Sequence, residues 1–200
     1  PALIADGLGG ALVTWFDGRA GDFDIYAQRI SGAGITQWPA DGVALCTAAG
    51  EQAYPSLVAD GLGGAIAAWR DYRSGADYDI YAQRISQAGA PQWTADGVLV
   101  CNAAGDQYDP AIVTDANGGA IIAWPDMRSG TLDVYAQRVS GAGAPLWTAN
   151  GMALCTAAGM QNVTAMVPDG AGGAVTTWQD KRNGTNLDVS LITFGPGEEV

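Results

Sequence analysis

Short apolar segments alternate with glycine- and aspartate-rich segments along this chain of 200 residues. The segment from Ala65 to Asp71 is apolar on both faces, which is typical of a strand packed between two layers. The segment from Asp79 to Ser86 alternates, so its successive side chains point to opposite faces of a sheet. Two shorter β runs flank them, Pro55 to Asp60 and Gly97 to Cys101. No segment combines helical periodicity with helix caps and sufficient length, so the pattern predicts strands throughout.

The same pattern occurs four times. Its anchor tryptophans lie 54, 55 and 54 residues apart, at Trp15, Trp69, Trp124 and Trp178. A fixed period of this size marks a repeat fold in which each unit covers the apolar face of its neighbour. Four short strands joined by Gly- and Asp-rich turns are typical of a propeller blade. The sequence therefore predicts an all-β, β-propeller-like array of four four-stranded antiparallel blades, the last incomplete, with the four tryptophans buried in its core.

The order of motifs within each copy resembles a known repeat. It runs P-x-x-x-x-D-G, an apolar strand, D-x-R-x-G, D-I-Y and a polar turn, and in this order it resembles the WD-like repeats of TolB-type β-propellers. It is also similar to the D-I-Y-A-Q-R arrays of predicted secreted bacterial proteins. The resemblance covers nearly the whole chain and implies a β-propeller. It implies little about function, because propellers host many unrelated functions.

The copies define the predicted domain organisation. We expect one domain over residues 1–195, built of repeats 1–54, 55–109, 110–163 and 164–195, with a tail or linker at 196–200. The fourth copy has no fourth strand, which leaves three arrangements open: the end of a longer array, a compact four-bladed ring, or a half-ring completed by a second copy. Its strand from Ser190 to Phe194 is nearly apolar, and exposed apolar edges invite pairing. We therefore expect this strand to be covered, with self-association as one way to cover it.

The amino-acid composition excludes some classes of binding partner and some kinds of catalysis. The net charge is −12, so we expect neither nucleic acid nor anionic membranes as partners. No apolar run reaches the ~18 residues of a membrane span, so we expect no membrane insertion. The chain contains no histidine, which excludes Ser–His–Asp and Cys–His catalysis. The cysteines Cys46, Cys101 and Cys155 occupy equivalent places in successive copies, and the repeat spacing predicts that they are reduced and unpaired.

A D-x-R-x-G turn in every copy is the main candidate for ligand binding. Its residues are Asp17 and Arg19, Asp71 and Arg73, Asp126 and Arg128, and Asp180 and Arg182. A ring of these side chains on one face would bind a glycan or a protein loop. Alternatively, each Asp closes its own hairpin and each Arg bridges the carboxylates beside it. Identical placement in every copy favours this structural clasp, because a unique active site would break the repeat, and no irregular residue stands out within the turns.

Two further sets of residues have a structural and a functional interpretation. The many aspartates raise calcium as a cofactor, but an arginine interrupts each acidic cluster and the EF-hand pattern is absent, so we expect no metal and no other cofactor. The second tryptophan set, Trp38, Trp93 and Trp147, would stack on sugars if exposed and seal the blades if buried. Periodic tryptophan is commonly architectural, so we favour the second interpretation.

These observations lead to a functional expectation. We expect a non-catalytic extracellular or cell-surface module that binds glycan or protein through its turns. One alternative is a self-assembling structural component of a surface layer or filament. A second alternative is a non-catalytic fragment of a secreted hydrolase.

Overall fold

The computed structural model describes residues 1–184 and 188–195, which form four antiparallel sheets and no helix. The first sheet contains β1 (Ala2–Ala5), β2 (Ala11–Asp17), β3 (Asp24–Ile30) and β4 (Val43–Cys46). The second contains β5 (Gln52–Ala59), β6 (Ala65–Asp71), β7 (Asp79–Ile85) and β8 (Val98–Cys101). The third contains β9 (Ala111–Thr114), β10 (Ala120–Asp126), β11 (Asp133–Val139) and β12 (Met152–Cys155). The fourth contains β13 (Gln161–Pro168), β14 (Ala174–Asp180) and β15 (Asp188–Phe194).

Each sheet is a meander in which strands pair in chain order. This confirms the predicted all-β, propeller-like array of four blades with an incomplete last blade. The predicted tail at 196–200 lies outside the described residues. Those residues contain no helix long and apolar enough to cross a membrane.

The first strand of the second sheet begins earlier than the sequence predicts. It starts at Gln52 rather than Pro55, because Gln52 and Ala53 already pair with the end of β6. A bulge between Ala53 and Ser56 interrupts the pairing, and the extra residue it accommodates hides the strand's beginning from a period-two pattern. The residues before Pro55 therefore belong to the sheet and not to a loop.

The core consists of three apolar clusters, one between each pair of consecutive sheets. In each cluster the tryptophan of one sheet packs against apolar side chains on the facing side of the preceding sheet. Trp69 and Trp124 are fully buried in this way, and Trp178 is nearly so. Trp15 is only partly buried and is the least enclosed of the four. The reason is that no described sheet precedes the first one.

The four sheets form an open arc. Their first strands β1, β5, β9 and β13 lie side by side in that order and form its inner edge. None of the three core clusters joins the fourth sheet to the first within residues 1–184 and 188–195. Each sheet therefore has a neighbour on both sides except at the two ends of the array.

The D-I-Y-A-Q-R motif is explained by contacts at one end of each sheet. In the second copy, Gln83 donates to the carbonyl of Thr94 over 2.8 Å and accepts from the backbone N–H of Trp93 over 2.9 Å. Arg84 forms an ion pair of 2.9 Å with Asp60 in the β5–β6 turn. The glutamine thus holds the second tryptophan, and the arginine ties the outer strands to the inner hairpin. These are structural roles repeated in the first and third copies.

The second tryptophan set contacts the next sheet. The indole N–H of Trp38 donates to the carbonyl of Gln87 over 3.1 Å, and that of Trp93 donates to the carbonyl of Gly141 over the same distance. Trp147 packs edge-on against Phe194 of the fourth sheet, with ring centroids 5.9 Å apart. All three seal the outer side of an interface between sheets, as the structural interpretation expects.

Candidate functional site

The D-x-R-x-G turns lie together at one end of the arc, here called the turn end. This end carries the β2–β3, β6–β7, β10–β11 and β14–β15 turns and the connections between sheets. In the second copy the carboxylate of Asp71 accepts from the indole N–H of Trp69 at 2.9 Å and from the backbone N–H of Arg73 at 2.9 Å. The Arg73 guanidinium donates to the same carboxylate at 2.6 Å. Each pair therefore closes its own hairpin.

The arginine of this pair also contacts the preceding sheet. Nη2 of Arg73 lies 3.1 Å from Sγ of Cys46 in the first sheet, and it donates to the carbonyl of Asp96 over 2.7 Å. The guanidinium stacks 3.7 Å from the ring centre of Tyr81. Arg128 makes the same three contacts in the third copy, with Cys101, Asn150 and Tyr135. With donors and ring face both engaged, these arginines act as clasps between sheets.

The cysteines take part in these clasps as thiols. All three are free, and none is paired with another. Burial raises the pKa of Cys46 and of Cys101 to about 12, so both stay protonated at neutral pH. Among the described residues no group of three or more acidic, histidine or cysteine side chains stands close enough to hold a metal ion.

One position beside the turns differs in every copy. It lies between the repeated tryptophan and aspartate, and it is occupied by Phe16, Arg70, Pro125 and Gln179. Arg70 lies between the rings of Tyr54 and Tyr78, with its guanidinium 4.0 and 4.6 Å from their centres. It forms ion pairs with Asp109 at 3.3 Å and with Glu51 at 3.8 Å. We call Glu51, Tyr54, Arg70, Tyr78 and Asp109 the Arg70 cluster.

Three strands position this cluster at the turn end, near the inner edge of the arc. Arg70 is on β6, Tyr54 on β5, and Asp109 just before β9. Tyr54 adopts a left-handed backbone conformation with φ of 53°, inside the bulge of β5. Such a conformation is unfavourable for a bulky side chain and is found mainly where a structure requires it. Here it accompanies a ring that is half exposed to solvent beside Arg70.

The rings around Arg70 continue into a longer aromatic strip. Tyr54 also lies 5.8 Å from Phe16 of the first sheet, which packs edge-on against Phe23 at 5.1 Å. On the other side, Tyr78 lies 5.0 Å from Tyr72. Phe23 and Tyr54 are exposed members of this strip. The aromatic strip therefore presents ring surface to solvent across the first two sheets.

The cluster is electrostatically unbalanced. One guanidinium faces two carboxylates, which leaves one negative charge in excess. The Nε of Arg70 is buried and has no hydrogen-bond partner among the described residues. Burial and the charge of Glu51 raise the pKa of the Tyr78 hydroxyl, so it remains a donor at neutral pH. The cluster thus offers carboxylate acceptors on Glu51 and Asp109 beside the half-exposed ring of Tyr54.

A cleft of about 380 Å³ adjoins the cluster, and Asp109 belongs to both. Its other lining residues are Tyr108, Pro125, Met127, Leu132, Asn162 and Val163. Val163 and Asp109 occupy the position that Tyr54 has in the second copy, and Pro125 occupies that of Arg70. The positions that differ among the copies therefore meet at the turn end, while the clasps around them are alike.

Two solved structures resemble this chain across nearly its whole length. One is an endo-arabinase from Bacteroides thetaiotaomicron, with 15% identity, a TM-score of 0.52, and coverage of 93% of this chain and 71% of the other. The second is a thermostable family-43 glycoside hydrolase, with 11% identity, a TM-score of 0.56, and coverage of 95% and 70%. No protein-family model and no curated protein matches the sequence. At these identities the likeness shows the β-propeller-like fold alone.

The Arg70 cluster is absent from the sequence-based candidates. Those candidates are the repeated turns, within which no irregular residue stands out. Arg70 lies one residue before such a turn, next to an invariant tryptophan and aspartate, so an alignment of the four copies would have marked it. The contribution of Glu51, Tyr54 and Asp109 needs the structure, because they come from the starts of neighbouring first strands.

Proposed function

We propose that this chain is a non-catalytic glycan-binding module of an extracellular or cell-surface protein, and that the Arg70 cluster and its cleft form the binding site. The observation that carries the proposal is the Arg70 cluster itself, a group of aromatic and charged side chains around a residue that differs in every copy. A fold built of similar copies can bind one ligand at one place only where a copy differs from the others. The fold likeness to two glycoside hydrolases supports a glycan as the class of ligand.

The chemistry of the cluster suits a sugar. Exposed aromatic rings provide rigid, amphipathic contact area that can lie against the apolar face of a pyranose or furanose ring. The carboxylates of Glu51 and Asp109 can accept hydrogen bonds from hydroxyl groups of the sugar. A few polar groups on an aromatic surface are typical of small-ligand sites, where they fix orientation. The repeated clasps are poor candidates, because their donors are already engaged within the fold.

Calorimetric titration with a panel of soluble polysaccharides that includes arabinan tests the proposal. We expect binding by the natural chain and at least about tenfold weaker binding by Tyr54→Ala, which corresponds to about 1.4 kcal/mol. Leu8→Ala removes an exposed apolar side chain from the β1–β2 turn, away from the turn end, and is the control. Binding that is absent from the whole panel, or that Tyr54→Ala leaves unchanged, would contradict the proposal.

A hydrolase fragment is the second candidate, and a specific observation favours it. Glu51 and Asp109 contact different nitrogens of the Arg70 guanidinium, Nη2 and Nη1, and most glycoside hydrolases use a pair of carboxylates. Release of reducing sugar from the same polysaccharides separates the two functions. The binding module should release none. If the unsubstituted chain releases reducing sugar, and if Glu51→Gln and Asp109→Asn each abolish that release, the chain is a hydrolase instead.

A further inference from the structure

The fourth sheet has an apolar face that nothing in the described chain covers. Val189 is 74% exposed and Leu191 is 65% exposed on β15, and Val167 is also exposed on β13. Val175 on β14 lies opposite Val167 in the register of the sheet. We call Val167, Val175, Val189 and Leu191 the trailing face.

The positions equivalent to Val189 and Leu191 are buried in all three preceding sheets. Ile80 and Ala82 of the second sheet occupy the places of Val189 and Leu191, and both are inaccessible to solvent. They are covered by the third sheet, whose Trp124 and Ala120 pack onto them in one apolar cluster. The trailing face is therefore half of an interface that the chain already forms three times.

The other half of such an interface is exposed at the opposite end of the array. Leu3 of the first sheet is 67% exposed, whereas its equivalent in the second sheet, Leu57, is 8% exposed. Trp15 is half-buried where Trp69 is fully buried. We call Leu3, Val13 and Trp15 the leading face.

We propose that the trailing face of one copy of this chain packs against the leading face of a second copy. A second copy fits this face because the leading face carries the side chains that cover each trailing position within the array, so the contact would continue the internal interfaces. The open arc keeps the two faces of one chain apart. Two different patches meet in this contact, so it is heterologous and leaves a free face on each outer chain unless a ring closes.

This contact differs from strand pairing along the edge of β15. Edge pairing uses backbone groups and needs only the fourth sheet of each copy. Face packing uses side chains and needs both ends of the array. Substitutions of surface side chains therefore distinguish the two contacts.

Size-exclusion chromatography with light scattering, from micromolar to millimolar concentration, tests the proposal. The natural chain should form dimers or larger species. Leu191→Asp and Leu3→Asp should each run as monomers, because each loses one of the two faces. An equimolar mixture of these variants should form a heterodimer, since one supplies an intact trailing face and the other an intact leading face. Leu62→Asp, at an exposed turn away from both faces, should behave as the natural chain does.

Circular dichroism of each variant checks that the fold is retained, as expected for substitutions at exposed positions. A natural chain that stays monomeric at millimolar concentration would overturn the proposal. Association by Leu3→Asp alone would overturn it in favour of contact between two fourth sheets. A mixture that remains monomeric would also overturn it, because the remaining faces would then not be complementary.

Discussion

Trp15 and Trp69 occupy the same position in successive copies, and only their surroundings differ. Trp69 lies between two sheets and donates its indole N–H to a fully buried carboxylate. Trp15 makes the equivalent bond to Asp17 at 2.9 Å, but its side chain is only partly buried. Comparison of the two tryptophans thus separates the stability that comes from contacts within one copy from the stability that comes from the neighbouring sheet.

Trp69→Ala should lower the free energy of unfolding by roughly 3–5 kcal/mol, as truncation of a buried aromatic residue does. Trp15→Ala should lower it less, because part of that ring is already in contact with solvent. Urea denaturation of the two variants measures both effects. Equal losses would show that the neighbouring sheet contributes nothing to the burial energy.

Asp79 should make stability depend on pH. Burial, together with the charges of Asp77 and Asp71, raises its pKa to about 6. Aspartate in an unfolded chain titrates near about 3.9. The folded chain therefore binds the proton more tightly, and this group destabilises the fold as pH rises from about 4 to about 6.

Asp79→Asn keeps the shape of this side chain and removes its charge. The variant should be more stable relative to the natural chain at pH 7 than at pH 4, and melting temperatures at the two pH values measure the difference. A gain of the same size at both pH values would be inconsistent with the raised pKa.

At the scale of elements, the clasp joins a hairpin to the sheet before it. Arg73 is held by Asp71, Cys46 and Asp96, and its side chain is 21% exposed. Arg19 contacts no sheet other than its own in the described part of the chain, and its side chain is 40% exposed. The Arg19 guanidinium nevertheless holds the pKa of Asp17 well below its usual range, so the pair within the hairpin is formed in both copies.

Arg73→Ala should lower the free energy of unfolding by about 3 kcal/mol, because it leaves the buried Asp71 carboxylate without its charged partner. Arg19→Ala should have a much smaller effect. Chemical denaturation of the two variants gives the comparison. If Arg73→Ala were as stable as the natural chain but lost glycan binding, the turns and not the Arg70 cluster would be the binding site.

The strands follow closely from the sequence where apolar residues alternate or fill both faces, as in β6 and β7. The early start of β5 does not, because a bulge shifts the pattern at Ala53. The half-buried state of Trp15 cannot be read from a repeat either, since the four copies are alike in sequence there and differ in their neighbours. Local pattern thus predicts elements, and position within the array decides burial.

At the scale of the whole molecule, the residues that recur in the copies are structural, and the proposed binding site is built of residues that do not recur. Contacts that hold the array together, such as those of Arg73 and Gln83, recur because every interface needs them. A site for one ligand needs residues that do not recur, and at the turn end these are Arg70 and the side chains around it. The recurring motifs therefore define the architecture, whereas the proposed site lies at positions outside them.

The most direct test of this account is an amide chemical-shift map recorded as a bound polysaccharide fragment is added. The account predicts that the largest changes surround Tyr54, Tyr78 and Asp109, with little change at the turns of the first and fourth sheets. Chemical-shift changes of similar size at all four D-x-R-x-G turns would contradict binding at the Arg70 cluster, because the ligand would then contact the residues that all four copies share.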